Sequence, residues 1–477
     1  VGAATARRPA GTGSTVSFEF QLQPMTREPI PKILPDRPRR LFVSLIGFII
    51  LLAIAGAASI PFYFESSSIL YKFGPDRHFL RSGQVAGIVA GFLLMLQIIL
   101  SMRLKCLDRV FGLNSLFKFH RTTAIIIACL TLIHPGLIFI PEDRITIPLQ
   151  WRYWPEFVGL FLLLLIIATV ISGHWRARLK LPFHRWWPIH QGAAILIIAA
   201  FWLHVLAVSD TFEQKLPKLL AFCAIGLCGL MFFWLRTRSL RNRRRIFIVS
   251  AVDPAGEDSV RLQITSKAQN MLAHAPGQFC FITFLSPRIS KEEHPFTIAS
   301  SPARLGFLEF IVRTKGDWTG KLNNLRPGDR AVIHGPFGLF SHLRFSSKKE
   351  IIMIAGGIGI TPMLSMLRYM AGCNDQRKIT LIWSNQTQKH IILPDEFQNL
   401  EAQLEGLRIF HVLTRAPEFA GEKRRLDRLK LKSLLSGCSN SSAIFVCGPH
   451  QMMKDVFTSL VSLGFEKRMI FTERFSL

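Results

Sequence analysis

Four histidines fall into two pairs with one spacing: His120 with His134, and His190 with His204, fourteen residues apart in each case. Each pair sits in or beside an apolar segment. Fourteen residues of α-helix fall about 40° short of four full turns and rise roughly 21 Å. Both histidines of a pair therefore project from nearly one face, at two depths. Two such helices side by side present four imidazoles as two facing pairs. Two neutral imidazole nitrogens on one axis, on opposite faces of an iron, are what a low-spin haem takes. A lone histidine in a membrane helix is ordinarily polar glue or part of a proton relay. Four at a repeated spacing, on alternate apolar segments, point instead to two b-type haems. His174 and His184 lie in the basic connection before the second pair and read as surface residues.

The elements that must position these histidines are legible as hydropathy. Six apolar stretches occupy roughly 41–62, 83–101, 122–140, 157–173, 188–208 and 216–235. Most reach the 18 or so residues that helix needs to cross hydrocarbon. The first half is expected to be a six-helix transmembrane bundle, in contact with lipid. Orientation follows from Lys and Arg in the short loops. Arg37, Arg39 and Arg40, then Arg103 to Arg121, then Arg176 to Arg185, then Arg241 to Arg245 place alternate loops and both termini on the cytoplasmic side. His120 should then pair with His190 on the inner side, and His134 with His204 on the outer side.

The formal net charge is +27. Much of it flanks the spans, where retention on the inner side and anionic lipid account for it, so nucleic acid is not an expected partner. Eight cysteines are scattered with no CxxC and no iron–sulfur spacing, so an electron carrier in the second half must be organic. Residues 1–40 lack an apolar core and read as a disordered cytoplasmic tail, ahead of a membrane domain over 41–236.

Beyond residue 240 the period changes. Short β-branched and aromatic runs at 246–252, 259–265, 278–285, 296–300, 307–313 and 330–333 read as a small antiparallel β-barrel over 237–345. Strand-like runs then alternate with helical ones: 350–355, 361–371, 378–383, 395–403, 408–413, 443–446 and 449–463. They read as an α/β parallel-sheet domain over 346–477.

Each soluble domain carries candidate ligand-binding residues. In His294-Pro295-Phe296-Thr297-Ile298-Ala299-Ser300, Thr297 offers a hydroxyl on a rigid strand, suited to a flavin ring nitrogen. Arg313 follows, then Gly316-Asp317-Trp318-Thr319, which reads as a helix start whose amides suit a pyrophosphate. Ala355-Gly356-Gly357-Ile358-Gly359-Ile360-Thr361-Pro362 reads as a strand, a glycine turn and a helix opening with an early Pro. Phe445-Val446-Cys447-Gly448-Pro449 is a second strand-to-helix turn. Its thiol is suited to a nicotinamide ring, or is simply a buried Cys before a turn.

Taken together and in this order, HPFT, GDWTGKL, the HGPFG of 334–338, GGIGITP and CGP behind two histidine pairs resemble the NADPH oxidase and ferric reductase transmembrane flavocytochromes. The soluble half is also similar to ferredoxin–NADP reductases. No EF-hand loop is present in this sequence, so the resemblance is to bacterial-type members without one. It implies FAD at His294, Pro295, Phe296, Thr297, Ser300, Arg313, Gly316, Trp318 and Thr319. It implies NADPH or NADH at Gly356, Gly357, Gly359, Thr361, Pro362, Cys447, Gly448 and Pro449, with Thr297 and Cys447 at the reacting centre. Many oxidases of the family end on an aromatic, whereas this sequence ends Phe475-Ser476-Leu477; Phe475 is expected to shield the flavin in its place. The strand ending Trp383-Ser384-Asn385-Gln386 lacks an Arg for a 2′-phosphate, whereas Thr414-Arg415 resembles a Ser-Arg phosphate pair, so the coenzyme stays open. The expected activity is NAD(P)H-driven electron transfer across the membrane. Oxygen, giving superoxide, is the first acceptor; a ferric or cupric chelate, or a partner protein, is the alternative.

Overall fold

The computed structural model describes residues 36–64, 74, 76–139, 147, 149–208, 210–244, 246–266, 272–303 and 306–474. The tail expected over 1–40 lies outside them as far as residue 35, and from Asp36 the chain is already helical. Phe475, too, lies outside the described residues.

Among the described residues, seven α-helices build the membrane half: α1 (Asp36–Tyr63), α2 (Asp76–Ser101), α3 (Lys105–Phe111), α4 (Leu113–Phe139), α5 (Trp154–His174), α6 (Phe183–Val208) and α7 (Lys215–Arg244). All but α3 are long and apolar enough to span a bilayer. Their outward side chains are apolar, as Leu52, Leu132, Leu164 and Phe233 show, and only a hydrocarbon surround makes such exposure favourable. The seam where α2, α4, α5 and α6 meet is a buried aliphatic cluster of Leu93, Ile127, Leu162, Ile166, Ile197 and Ala200. α4 begins nine residues before the expected span at 122, so His120 lies well inside it.

The second layer is a six-stranded antiparallel sheet. Its strands are β1 (Ile246–Pro254), β2 (Ser259–Ser266), β3 (Phe279–Phe284), β4 (Glu293–Thr297), β5 (Leu308–Arg313) and β6 (Arg330–Phe337), in the order β4-β3-β6-β1-β2-β5. Alternation drives it: Val260, Leu262 and Ile264 of β2 point inward with Phe247 and Val249 of β1, closing over Phe284, Phe310 and Trp318.

The third layer is a six-stranded parallel sheet flanked by helices. It comprises β7 (Glu350–Gly356), α8 (Thr361–Gly372), β8 (Lys378–Asn385), α9 (Pro394–Gln403), β9 (Leu407–Leu413), β10 (Glu422–Lys423), α10 (Arg428–Leu434), β11 (Ala443–Cys447), α11 (His450–Ser462) and β12 (Ile470–Glu473), in the order β10-β9-β8-β7-β11-β12. The unbroken apolar run of β7 is explained by cover on both faces: Ile351 and Met353 enter one core, Ile352 and Ile354 the other. The short elements α3, β10, α10 and β12 are additions to the sequence-based expectation.

Candidate functional site

Helices α4 and α6 lie so that His120 faces His190, with ring centroids 6.4 Å apart, and His134 faces His204 at 6.5 Å. An iron bonded at about 2 Å to one nitrogen of each ring would hold the centroids roughly 6.3 Å apart, so both gaps fit one metal between two axial imidazoles. In the outer pair, Nδ1 of His134 lies 2.7 Å from the Gly83 carbonyl and Nδ1 of His204 lies 3.0 Å from that of Pro155. A carbonyl only accepts, so Nδ1 carries the proton and Nε2 is left free as a metal ligand. In the inner pair, Nδ1 of His120 and of His190 are buried without hydrogen-bond partners among the described residues. His190 is instead held by stacking on Trp186, with centroids 4.6 Å apart.

Glycines make room for the outer pair. A Cβ on Gly159 would stand 2.6 Å from the His204 ring, and one on Gly87 would stand 3.0 Å from the His134 ring. Gly87 belongs to a stripe, Gly83, Gly87 and Gly91, that presses α2 against α4 and α6. The four-residue period of these glycines was legible in the sequence and is absent from the motifs read above.

The FAD residues divide by what they already bond. In β4, His294, Pro295 and Thr297 pair in register with Ile282, Phe281 and Phe279 of β3. The His294 and Trp318 rings lie 3.9 Å apart, with Phe296 stacked on Trp318. Trp318 is a core residue rather than a free ligand surface: it is 7 % exposed and its indole N–H donates to Ser290 O. Ser300 is also committed, its hydroxyl accepting the Glu309 N–H and its carbonyl accepting the Ser365 hydroxyl. The expected helix start at Gly316–Thr319 is a 3₁₀ turn over Thr319–Asn324, with the Gly316 N–H donating to Thr319 Oγ1. Arg313 is held by Asp258 at 2.6 Å, and its Nη1 lies 3.7 Å from where a Cβ on Gly357 would stand. It thus borders the nucleotide turn as well as the flavin domain. His184 is exposed, as expected, and brings Nδ1 to 4.0 Å from Glu292 of the barrel; Glu292 also lies 3.3 Å from His294.

At the carboxyl edge of the parallel sheet, two turns interlock. A Cβ on Gly359 would lie 2.3 Å from the Cys447 carbonyl, and one on Gly448 would lie 3.0 Å from the Gly356 backbone. Gly357 has φ +55°, and its carbonyl accepts the Trp383 N–H. Pro362 stands in the first turn of α8, while the Thr361 hydroxyl is spent on Ile358 O. Cys447 ends β11 and is fully covered, and that burial pushes its thiol well above the ordinary value. Pro449 begins the turn into α11. Thr414 and Arg415 lie two strands away, their amides donating to the carbonyls of Asn385 and Gln386. Asn385 itself is buried with neither amide atom hydrogen-bonded among the described residues.

Family models match three consecutive segments: a ferric reductase like transmembrane component over residues 86–201, an FAD-binding domain over 242–338 and an oxidoreductase NAD-binding domain over 353–458. Among curated proteins, the chain is 30 % identical over 202 residues to the gamma subunit of sulfhydrogenase 1 from Pyrococcus furiosus, a match covering 41 % of this chain and 66 % of that one. It is 29 % identical over 182 residues to NADH-cytochrome b5 reductase 1 of Dictyostelium discoideum, covering 37 % and 63 %. The chain thus spans just under two thirds of the length of these two relatives. Among solved structures, the cytochrome b5 reductase domain of Ulva prolifera nitrate reductase aligns with a TM-score of 0.43 and 21 % identity, covering 48 % of this chain and 96 % of that one. The order of the three matched segments, on a six-span bundle, an antiparallel sheet and a parallel sheet, gives this chain the architecture of the NADPH oxidase and ferric reductase transmembrane flavocytochromes, with a ferredoxin–NADP reductase-like half.

Proposed function

We propose that this oxidoreductase carries electrons from cytoplasmic NAD(P)H, through FAD and two b haems, to an acceptor outside, with oxygen giving superoxide as the principal product. The observation that carries the reading is the pair of imidazole gaps, 6.4 and 6.5 Å, stacked on one pair of helices. Bound FAD supplies the exchange between two-electron and one-electron chemistry, and bound haem supplies a one-electron relay.

The chain's own work is positioning. His120 with His190 would hold one haem and His134 with His204 the other, and each would supply a one-electron step. Strand β4 presents Thr297 beside the barrel wall, and the interlocked turns at Gly356–Gly359 and Cys447–Pro449 let a dinucleotide approach backbone amides closely. Cys447, neutral and fully covered at the end of β11, braces the Gly359 turn through its carbonyl and would meet a nicotinamide only once the groups covering it move aside. Arg313 sits where it can neutralise phosphate at the boundary of both dinucleotides. The Lys and Arg of alternate loops put the reductase half on the cytoplasmic side, so outward electron movement gains about 2.3 kcal/mol per 100 mV of membrane potential.

The test is an anaerobic absorption titration of the detergent-purified chain with NADPH, then NADH, followed by air. Growth of b-type bands as flavin bleaches, then their collapse with superoxide release, is the expected result, and the better reductant identifies the coenzyme. Slow reoxidation in air would redirect the reading to a metal chelate or a protein acceptor. Flavin absorbance without a Soret band would overturn the haem assignment.

A further inference from the structure

The junction between the membrane half and the two soluble domains turns on a small elbow. Gly112, at φ +78°, separates α3 from α4. Asp108, one turn earlier, is 2 % exposed. Its Oδ1 accepts the Leu113 N–H at 2.8 Å, and its carboxylate also accepts the N–H of Gly338, at the end of the HGPFG segment, at 3.0 Å. Two residues past the hinge, Asn114 Nδ2 donates to Glu473 Oε1 at 3.2 Å. Glu473 ends β12 and pairs in register with Cys447. One elbow therefore holds the flavin barrel at Gly338 and the nucleotide sheet at Glu473. An apolar cluster surrounds it, in which Leu100, Leu113 and Leu116 pack on Phe279, Phe281 and Phe337. The same β3 strand pairs Phe279 with Thr297. On the other side, His120 follows Leu113 by seven residues, roughly 10 Å along α4.

We propose that Asp108, Asn114 and Glu473 form a proton-dependent latch that positions both soluble domains for electron transfer to the inner histidine pair. The proposal rests on the haem reading for its function, but not for its contacts. Its proton dependence comes from placing two carboxyls in one junction, Asp108 buried and Glu473 half-buried. Burial raises Asp108 to about 6, against the opposing N–H groups of Gly338 and Leu113 and the charges of Arg109 and Lys105. Burial, and then the charge of Asp108, raises Glu473 to about 8, with Asn114 opposing. The Cys447 thiol also faces Glu473 and stays neutral.

If the domains separate, both carboxyls regain water and ordinary acidity, near 3.8 for Asp108 and 4.5 for Glu473. Between those values and the raised ones, the docked form holds protons that the separated form releases. Raised values make docking strongest at low pH and weaken it as pH climbs through about 8. Near neutrality Asp108 is mostly ionised and accepts its two amides, while Glu473 is protonated. Above that range two carboxylates face each other. The docking equilibrium falls by up to about tenfold per pH unit between the separated value of 4.5 and about 8, where only the docked form holds the Glu473 proton, and levels off above that.

Anaerobic stopped-flow on the full chain, loaded with FAD and haem, tests this across about pH 6 to about pH 9, with NADH-to-ferricyanide reduction as the control and amide exchange of residues 334–340 as the structural readout. Haem reduction should fall about tenfold or more toward the alkaline end, dye reduction should change little, and the 334–340 amides should exchange faster. Asp108→Ala should give the same loss at neutral pH with dye reduction kept. Asp108→Asn should restore part of it, since its amide oxygen still accepts. Glu473→Gln, permanently uncharged, should flatten the pH profile. Wild-type haem reduction in Asp108→Ala, or an unchanged alkaline fall in Glu473→Gln, would overturn the latch. If Asp108→Ala does not fold, Asn114→Ala replaces it with the same expected direction. A chain without haem would sink the haem reading alone, because the 334–340 exchange profile still decides whether the latch exists.

Discussion

At the scale of single residues, the two histidine pairs differ in what holds their second nitrogen. Nδ1 of His134 and of His204 each face a backbone carbonyl, whereas Nδ1 of His120 and of His190 have no partner among the described residues. A hydrogen bond from Nδ1 makes an imidazole a stronger donor to metal and favours the more highly charged iron. If each pair holds a haem as proposed, the one at His134 and His204 is expected at the lower potential. An equilibrium spectroelectrochemical titration should resolve two steps, and His204→Ala should delete the lower one. Loss of the upper step instead would reverse the order. The four histidines could be read directly from sequence because their spacing is a helical quantity. Their carbonyl partners at Gly83 and Pro155 could not, since any residue supplies a carbonyl. The opposite error is visible at Trp318, Ser300 and Thr361. These have ligand-like chemistry, but their polar atoms are consumed within the fold, and only packing distinguishes a spent hydroxyl or indole from a free one.

At the scale of elements, the glycines of α2 and α5 do for the outer pair what no side chain could. The His204 ring lies where a Gly159 Cβ would need to be, at 2.6 Å, so the ring rests against bare backbone. Replacing Gly159 with Val adds two further methyl groups at that point and cannot be absorbed by a rotamer change in Val itself. The expected outcome is loss of the outer site with the inner one kept, read as about half the haem per flavin and a single remaining redox step. Full haem content in this variant would show that α5 can shift to accommodate it. The six spans were legible because length and hydropathy alone define them. Among the elements that escaped are α3, seven residues long, and β12, four residues long. Segments so short have little intrinsic stability and exist because tertiary contacts fix them. Both lie at the three-domain junction, so the contacts of Asp108 and Glu473 were hidden along with the elements that carry them.

At the scale of the whole molecule, the two soluble domains are joined by a buried charge network rather than by apolar packing alone. Arg368 of α8 places Nη1 2.7 Å from Glu309 of the barrel strand β5, and grips Glu396 of α9 with Nε and Nη2 at 2.6 and 2.7 Å. Arg261 of β2 holds the other oxygen of Glu309 at 2.7 Å. Glu309 has no exposed surface, so its ionisation survives only because two guanidinium groups surround it. Burial alone would raise its pKa, but Arg368 and then Arg261 more than offset this and hold it below the usual carboxylate range. A lowered value means the network is intact above the ordinary value of 4.5 and loosens as pH falls below it, the opposite sense to the latch at Glu473. Removing one partner of a buried pair costs about 3–5 kcal/mol, because the other charge is left unpaired. Arg368→Met should therefore separate the melting of the two domains and lower the temperature at which flavin is released, followed by flavin fluorescence. The double change Arg368→Met with Glu309→Gln should recover part of the loss, since the fully buried charge is gone and the charges left unpaired, Glu396 and Arg261, are partly exposed to water. An additive double variant would mean that Glu309 is sufficiently held by Arg261 alone, and that the barrel and nucleotide sheet are joined mainly by the apolar contact of Ala299 and Ile311 with the core under β7.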